Sequence, residues 1–384
     1  MNTIKMAINS SINGSANILE MLNAEKADTY LPVIFYVGIS MLFGAIGNSA
    51  VSYIYYCKLE KTATNLFVAV LSACDLLSCL ISMPVEIVGL RFPLTFHSDI
   101  ACRLIRFIVA VGTITSALII FVISVDRYLR VCRPLGRHFS RRSAKVASAV
   151  LVFSSILLAT PAFLVFGKQR VPTRISGIIG EECSIAEGLK DTIYPLAYYC
   201  SLLVTCFAVF MVLMTLYFLI GIYVWRHKKK KNQGRMQKVV FTHPSNDRMS
   251  AAISSSSDNV EDDLKLHKQS RQKISRPMSS PVDHRQSNSV RVSRTTVIMF
   301  LITLLWIVSY LPHLVMVTCK IVVEDFRTSL GTTGDVLYNL SFRSYFFNNA
   351  INPFIYGIFN LRFRKELFIL LDNIFGACCC KNNP

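Results

Sequence analysis

The 384-residue chain is more than half apolar and carries 41 Lys and Arg against 23 Asp and Glu, a formal net charge of +18. Charged residues gather in a few segments, and between them apolar runs of about 20 residues recur, each long enough to cross roughly 30 Å of hydrocarbon as a helix. This pattern excludes a soluble multidomain protein and gives a polytopic, all-α membrane protein.

Residues 1–29 hold no compact apolar core of a signal peptide and are expected to form an extracellular tail, with glycosylation sequons at Asn9 and Asn13. Seven spans are predicted, at about 30–57, 64–90, 100–131, 145–166, 193–225, 293–318 and 335–358. Five of them fall in the block 30–225 and two in 293–358. Pro312 and Pro353 interrupt the sixth and seventh, which is tolerated where neighbours satisfy the freed carbonyls. A short amphipathic stretch at about 360–372 follows, inside a C-terminal region 359–384. A third sequon, at Asn339, lies too near the bilayer to be modified.

The segments after the first, third, fifth and seventh spans hold "CKLEK", "RYLRVCRPLGRHFSRRSAK", a linker opening "RHKKKK" and "RFRKE". Those on the other side are poorer in basic residues and carry balancing acids, as in "GEECSIAEGLKD". The positive-inside rule places the N-terminus outside the plasma membrane and the C-terminus in the cytosol. The basic excess is therefore a topology signal that also meets anionic membrane lipids, and no nucleic-acid partner is expected. Residues 226–292 are rich in Ser, Lys, Arg and Asn and cannot bury enough surface to offset their ordering entropy. They are expected to be a disordered third cytoplasmic loop whose ends extend the flanking helices.

Cys102 at the outer start of the third span and Cys183 in the following outer loop face an oxidising compartment, with Cys200 and Cys319 as competitors. Cys378, Cys379 and Cys380 are candidates for S-palmitoylation, or plain reduced thiols.

In "FVISVDRYLRVCRPL" an Asp-Arg pair closes a long apolar run, where charge is cheaper than at the bilayer centre. With "GNSAV", "LSACDLL", Cys102, Tyr217, "SYLP" and "NPFIY" in the same order along the chain, it resembles the rhodopsin-like (class A) G-protein-coupled receptors. The resemblance implies a seven-transmembrane helix bundle with a short amphipathic eighth helix, a Cys102–Cys183 disulfide, and activation of a heterotrimeric G protein by an extracellular ligand. It implies that Arg127, between Asp126 and Tyr128, leans on Asp126 at rest and meets the G protein on activation, supported by Tyr217 and Tyr356. Leu135 would dock on the same partner. Asp75 would hold a sodium ion with Ser116, Asn348 and Asn352, with Asn48 bonding nearby and Asn349 also available; a water-filled polar network is the alternative. Ser250, Ser275, Ser289 and Ser293 in the third inner loop are candidate kinase targets that would recruit arrestin.

Four features depart from the family pattern. Tyr310 stands where the sixth span usually carries tryptophan, Trp306 replaces the phenylalanine one turn earlier, Val209 replaces a proline in the fifth span, and the fourth lacks its tryptophan. A weakly coupled or decoy receptor is therefore an alternative reading. Val109 occupies the position of the amine-binding aspartate and Phe346 that of the retinal lysine, so neither an amine nor retinal is expected. The segment "RVPTRISGIIGEECSIAEGL" is expected to form a hairpin over the mouth, a feature that resembles neuropeptide receptors, the cholecystokinin-receptor-like kind among them. Glu86, Arg106, Val109, His313, Tyr338, Phe342 and Arg343 are candidate contacts for a peptide, or for a lipid mediator as runner-up. If unpaired, Arg106 and Arg343 would favour a ligand with a carboxylate; the alternative is that Glu86 pairs with an arginine. A transporter or channel would place charged pairs at mid-membrane, whereas the deep charges here reduce mainly to Asp75. His313 has no Cys, Asp or Glu ligand set around it in sequence, so neither catalysis nor a cofactor beyond Na+ is expected.

Overall fold

The computed structural model describes residues 2–241, 294–323, 326 and 329–379, with backbone alone for 2–13, 231–232, 234–241, 294, 321 and 374–379. Most of the expected third loop, with its four candidate serines, and Cys380 lie outside the described residues. The order is α1 (Asn2–Thr29), α2 (Leu31–Lys58), α3 (Ala63–Arg91), α4 (Asp99–Cys132), α5 (Arg141–Val165), a hairpin of β1 (Phe166–Pro172) and β2 (Ile179–Ile185), and α6 (Ile193–Phe241). Then come α7 (Arg294–Val322), α8 (Thr332–Phe342), α9 (Phe346–Phe359) and α10 (Leu361–Cys379). Helices α2 to α7 are each long and apolar enough to cross a membrane; α8 and α9 follow one another as the seventh predicted span. The bundle comprises residues 1–223 and 292–384. Of the second unit, Val224–Arg291, the described part is helical to Phe241, so the expected loop begins as helix. Its run of Lys, Gln, Arg and Met has good helix propensity.

In α2 the buried positions are Val33, Val37, Ser40, Gly44, Asn48 and Val51, spaced three or four apart, and the opposite face exposes Phe35, Ile39, Leu42, Phe43 and Ile46. A soluble helix would show polar residues on that outer face. Here it is apolar and the bundle side carries Ser40 and Asn48, which is the arrangement a hydrocarbon solvent selects.

Two places in the bundle release backbone groups that side chains of other helices take up. Contrary to the sequence expectation, α7 and α9 run through Pro312 and Pro353 without interruption. Pro353 cannot donate to the carbonyl four residues back, on Asn349, and Asn48 Nδ2 donates to it instead at 2.6 Å. The proline ring fits because Gly47 faces it: a Cβ there would lie 2.6 Å from the ring carbons. The interruption of the seventh span lies elsewhere, at Arg343–Tyr345, where successive N–H groups of Phe346, Phe347 and Asn348 donate to carbonyls three residues back. Tyr36 Oη bonds the carbonyls of Arg343 and Ser344 at 3.3 and 3.2 Å, and Ser344 Oγ reaches the Ser309 carbonyl at 2.6 Å. A π-helical turn at Ser78–Ser82 precedes Pro84 in α3, and Glu86 beyond it lands on the buried face.

The expected hairpin forms. Its strands pair antiparallel in the register Lys168↔Cys183, and Gly177 takes the left-handed conformation in the turn, at φ 87°. The Cys102–Cys183 disulfide ties β2 to α4, while Cys200 and Cys319 are free thiols. The tail before the first span is helical, as α1. Asn360 Oδ1 caps α10 by accepting from the N–H groups of Arg362 and Phe363, and Phe363 buries against Tyr55 and Tyr356. This amphipathic helix reaches Cys379, beyond the expected end near 372.

Candidate functional site

At the inner end of the bundle, Asp126 and Arg127 are 1 % and 5 % exposed on the inward face of α4. Arg127 Nη2 donates to Asp126 Oδ2 at 2.6 Å. Thr64 Oγ1 donates to the same oxygen at 2.8 Å and accepts from Arg127. Arg130 Nε reaches both carboxylate oxygens, at 2.9 and 3.0 Å. One buried carboxylate thus holds two guanidiniums, which is how the bundle accommodates them at its inner edge. The i,i+4 spacing of Asp126 and Arg130 was a legible signal; Thr64, 62 residues away, gave none. Tyr217 Oη accepts from Ser124 Oγ at 3.2 Å and bonds Thr303 Oγ1 at 3.1 Å, so a single hydroxyl joins α4, α6 and α7. Tyr356 is not beside Arg127: its ring packs on Tyr55 and Phe363, and its buried hydroxyl has no hydrogen-bond partner among the described residues. Tyr128 is half-buried and Leu135 fully exposed.

In mid-bundle, Asp75 is fully buried and accepts from Asn352 Nδ2 at 2.8 Å. The Oδ1 atoms of Asn48, Asp75, Asn348 and Asn352 are buried without a hydrogen-bond partner among the described residues. Unsatisfied buried acceptors are costly. Oxygen donors are what a hard cation takes. A cavity of about 20 Å³, large enough for one water, lies beside this set and is lined in part by Ser116, Asn348 and Asn349 but not by Asp75 or Asn352. The residues present therefore fit a sodium ion.

Above this lies a train of aromatic rings. Trp306 stacks on Tyr310 with centroids 5.5 Å apart, Tyr310 meets His313 and Tyr345 at 5.3 and 6.0 Å, and His313 meets Phe342 at 4.8 Å. Phe342 stacks on Tyr338 at 5.7 Å. Trp306 belongs to the inner apolar core and Tyr310 to the outer one, so the pair joins the two. The altered aromatics of the sixth span thus still form a continuous contact.

At the outer end, Glu86 accepts from Arg106 Nη1 at 2.8 Å and from Arg343 Nε at 3.0 Å. Of the two alternatives left open by the sequence, the structure shows the paired one: both arginines are paired, and to the same carboxylate. Arg343 Nη1 also donates to Asn339 Oδ1 at 2.8 Å, and Arg106 Nη2 to the Cys183 carbonyl at 3.4 Å. Asn339 is itself buried and bonded to Asp335, consistent with an unmodified sequon. His313 Nδ1 lies 2.6 Å from the Phe342 carbonyl. Glu86, Arg106, Tyr338, Phe342 and Arg343 line one cavity of about 90 Å³; Val109 lines the smaller one beneath, beside Trp306.

The sequence reading missed α1 as a wall. Leu22, Asn23, Ala27 and Tyr30 are buried on one face at helical spacing. Asn23 bonds the Arg91 carbonyl at 3.2 Å and the Leu94 N–H at 3.0 Å, Tyr30 Oη donates to Asp335 at 2.6 Å, and Glu25 pairs with Arg174 of the hairpin turn. With the hairpin and the segment Leu330–Asp335, α1 encloses a chamber of about 650 Å³. Within the hairpin, Glu181 of β2 bridges Lys168 of β1 and His97 of the loop before α4, each at 2.9 Å, and those hydrogen bonds hold its carboxyl below the ordinary value.

A family model described as 7 transmembrane receptor (rhodopsin family) matches residues 47–356. The chain is 24 % identical over 343 residues to neuropeptide receptor npr-1 of Caenorhabditis elegans, covering 87 % of this chain and 70 % of that one. It is 32 % identical over 173 residues to the neuropeptide F receptor of Drosophila melanogaster, covering 43 % and 33 %, and 26 % identical over 177 residues to nematocin receptor 2 of C. elegans, covering 44 % of each. The matched stretch thus spans less than half of the latter two relatives. The helical order, the inner-edge Asp126–Arg127 pair and the family match agree, and the chain belongs to the rhodopsin family of seven-transmembrane receptors.

Proposed function

We propose that this multi-pass membrane protein is a plasma-membrane receptor, N-terminus outside, that binds an extracellular neuropeptide and activates a heterotrimeric G protein; it is a signalling receptor and not an enzyme. The observation that carries the ligand reading is the outer chamber, about 650 Å³ and walled by α1, both hairpin strands and the entry to α8. A mouth of this size, rimmed by polar groups, suits a peptide chain better than a compact amine. The relatives, receptors for neuropeptide F and nematocin among them, support the same class.

The geometry suggests how binding reaches the cytosol. A ligand pressing on Phe342, His313 and Tyr310 would move Trp306 through direct ring contacts. Trp306 and Thr303 lie on the same helix, and displacement of α7 would strain the Tyr217–Thr303 bond. Arg127 would leave Asp126 and Thr64 to meet the G protein, with exposed Leu135 beside it. A sodium ion held by Asp75, Ser116, Asn348 and Asn352 would supply positive charge that favours the resting arrangement. Arrestin and receptor kinases acting on the third loop, lipid contact, glycosylation at Asn9 and Asn13, and palmitoylation at Cys378 to Cys380 belong to the same reading.

The test is a pooled neuropeptide screen on cells expressing the full chain, read with reporters for several G-protein classes. A saturable response carries the proposal. Silence with confirmed surface expression overturns it and turns attention to lipid mediators.

A further inference from the structure

Resting on the peptide-receptor reading, we infer that the floor of the outer chamber is a carboxylate site. Arg106 and Arg343 receive the ligand's terminal carboxylate or an acidic side chain.

Charge is the ground for this. Glu86 is a single buried carboxylate shared by two guanidiniums, so the cluster carries an excess positive charge. A charge kept from water without a counter-ion is costly, and an incoming anion removes that cost. The remaining charged groups lining the inner cavity are Glu182 and Lys320, one of each sign, which leave the excess in place. His313 bonds the Phe342 carbonyl and adds no negative charge. Arg106 also keeps a buried Nε without a hydrogen-bond partner. A planar guanidinium presents N–H groups in the fork that matches a carboxylate.

The inner cavity adjoins the outer chamber. Glu182, Ser184 and Lys320 line both the inner cavity and the outer chamber. The chamber wall adds Lys26, Arg170, Arg174 and Lys190 against Glu25 and Asp335, so the approach is also positive and draws an anion inward. The outer space of about 650 Å³ takes a length of chain, while the inner 90 Å³ takes only a small group such as the anionic end.

The test uses purified full-length receptor in lipid nanodiscs and reads binding by thermal shift, with no G protein present. One pool of synthetic pentapeptides carries Asp or Glu and a free C-terminus; the matched pool carries Asn or Gln and a C-terminal amide. Octadecanoic acid and its primary amide form a lipid arm. The acidic pool should bind about tenfold more tightly than the amide pool, the worth of one charge-assisted hydrogen bond. Arg106→Gln and Arg343→Gln should each reduce that preference, Arg106→Lys, which keeps the charge but not the fork, should reduce it less than Arg106→Gln, and Glu86→Gln should enlarge it. Equal binding of the two peptide pools overturns the carboxylate site while leaving the peptide reading standing. Arginine-dependent preference for octadecanoic acid over its amide, with neither peptide pool bound, supports the site and overturns the peptide reading. Absence of any acid-dependent binding, or a preference that survives in both glutamine variants, overturns the site.

Discussion

Two carboxylates, Asp126 and Glu86, organise opposite ends of the bundle, and each holds two arginines. At the inner end this makes Asp126 the counter-ion that keeps Arg127 in place. Arg127→Ala should cut the maximal agonist response by about tenfold or more while leaving agonist binding intact, measured by G-protein activation beside radioligand binding. An unchanged response would remove the role given to Arg127. Thr64 bonds both members of the pair, so Thr64→Val should weaken the resting state by about 1 kcal/mol, roughly fivefold in the resting-to-active ratio. The expected readout is raised ligand-free signalling at equal surface expression, and a lowered basal level would contradict it.

At the scale of elements, α2 and α9 meet through an exchange in which Gly47 yields space and Asn48 supplies the donor that Pro353 lacks. Gly47→Ala puts a methyl 2.6 Å from a rigid ring, so one helix must shift. The expected loss is about 1–3 kcal/mol, seen as a lower melting temperature of the purified receptor. The hairpin is tied by Glu181, whose carboxyl lies below its ordinary value of 4.5 because Lys168 and His97 bond it. A depressed folded value means the stabilisation is fully present above the unfolded value and is lost as pH falls through the folded one. Melting curves taken across the acid range should therefore show a loss of stability that Glu181→Gln flattens. Identical acid-side slopes in parent and variant would show that the bridge contributes nothing.

For the whole molecule, three sets of contacts lie between the two ends of the bundle: the outer ring train, the Trp306–Tyr310 stack, and the hydroxyl of Tyr217 between three helices. The buried oxygens of Asp75, Asn48, Asn348 and Asn352 that lack a partner among the described residues lie in the same bundle, and the proposed sodium ion would act there. Exchanging sodium for choline in the assay buffer should raise agonist affinity about fivefold or more, and Asp75→Asn should abolish that dependence. Sodium dependence that persists in the variant would place the ion elsewhere.

The amino-acid order by itself determined the spans, because hydrocarbon solvates no backbone and each crossing must be a long apolar helix. It also determined the Asp126–Arg127 pair, which is local, the hairpin, whose turn residues are contiguous, and the Cys102–Cys183 bridge through the family resemblance. Only the tertiary structure decided that Arg106 and Arg343 share Glu86, since Arg343 comes from 257 residues away and its partner depends on how α8 packs on α3. The same holds for Thr64 beneath Asp126 and for α1 as a chamber wall: the apolar face of α1 was readable, but not what it would lie against. The break in the seventh span likewise fell at Arg343–Tyr345 because Tyr36 and Ser309 satisfy the turn there, while Asn48 let the helix run on through Pro353. Local chemistry sets which segments become helices; long-range pairing of the few buried polar groups sets where they meet and what charge the site presents.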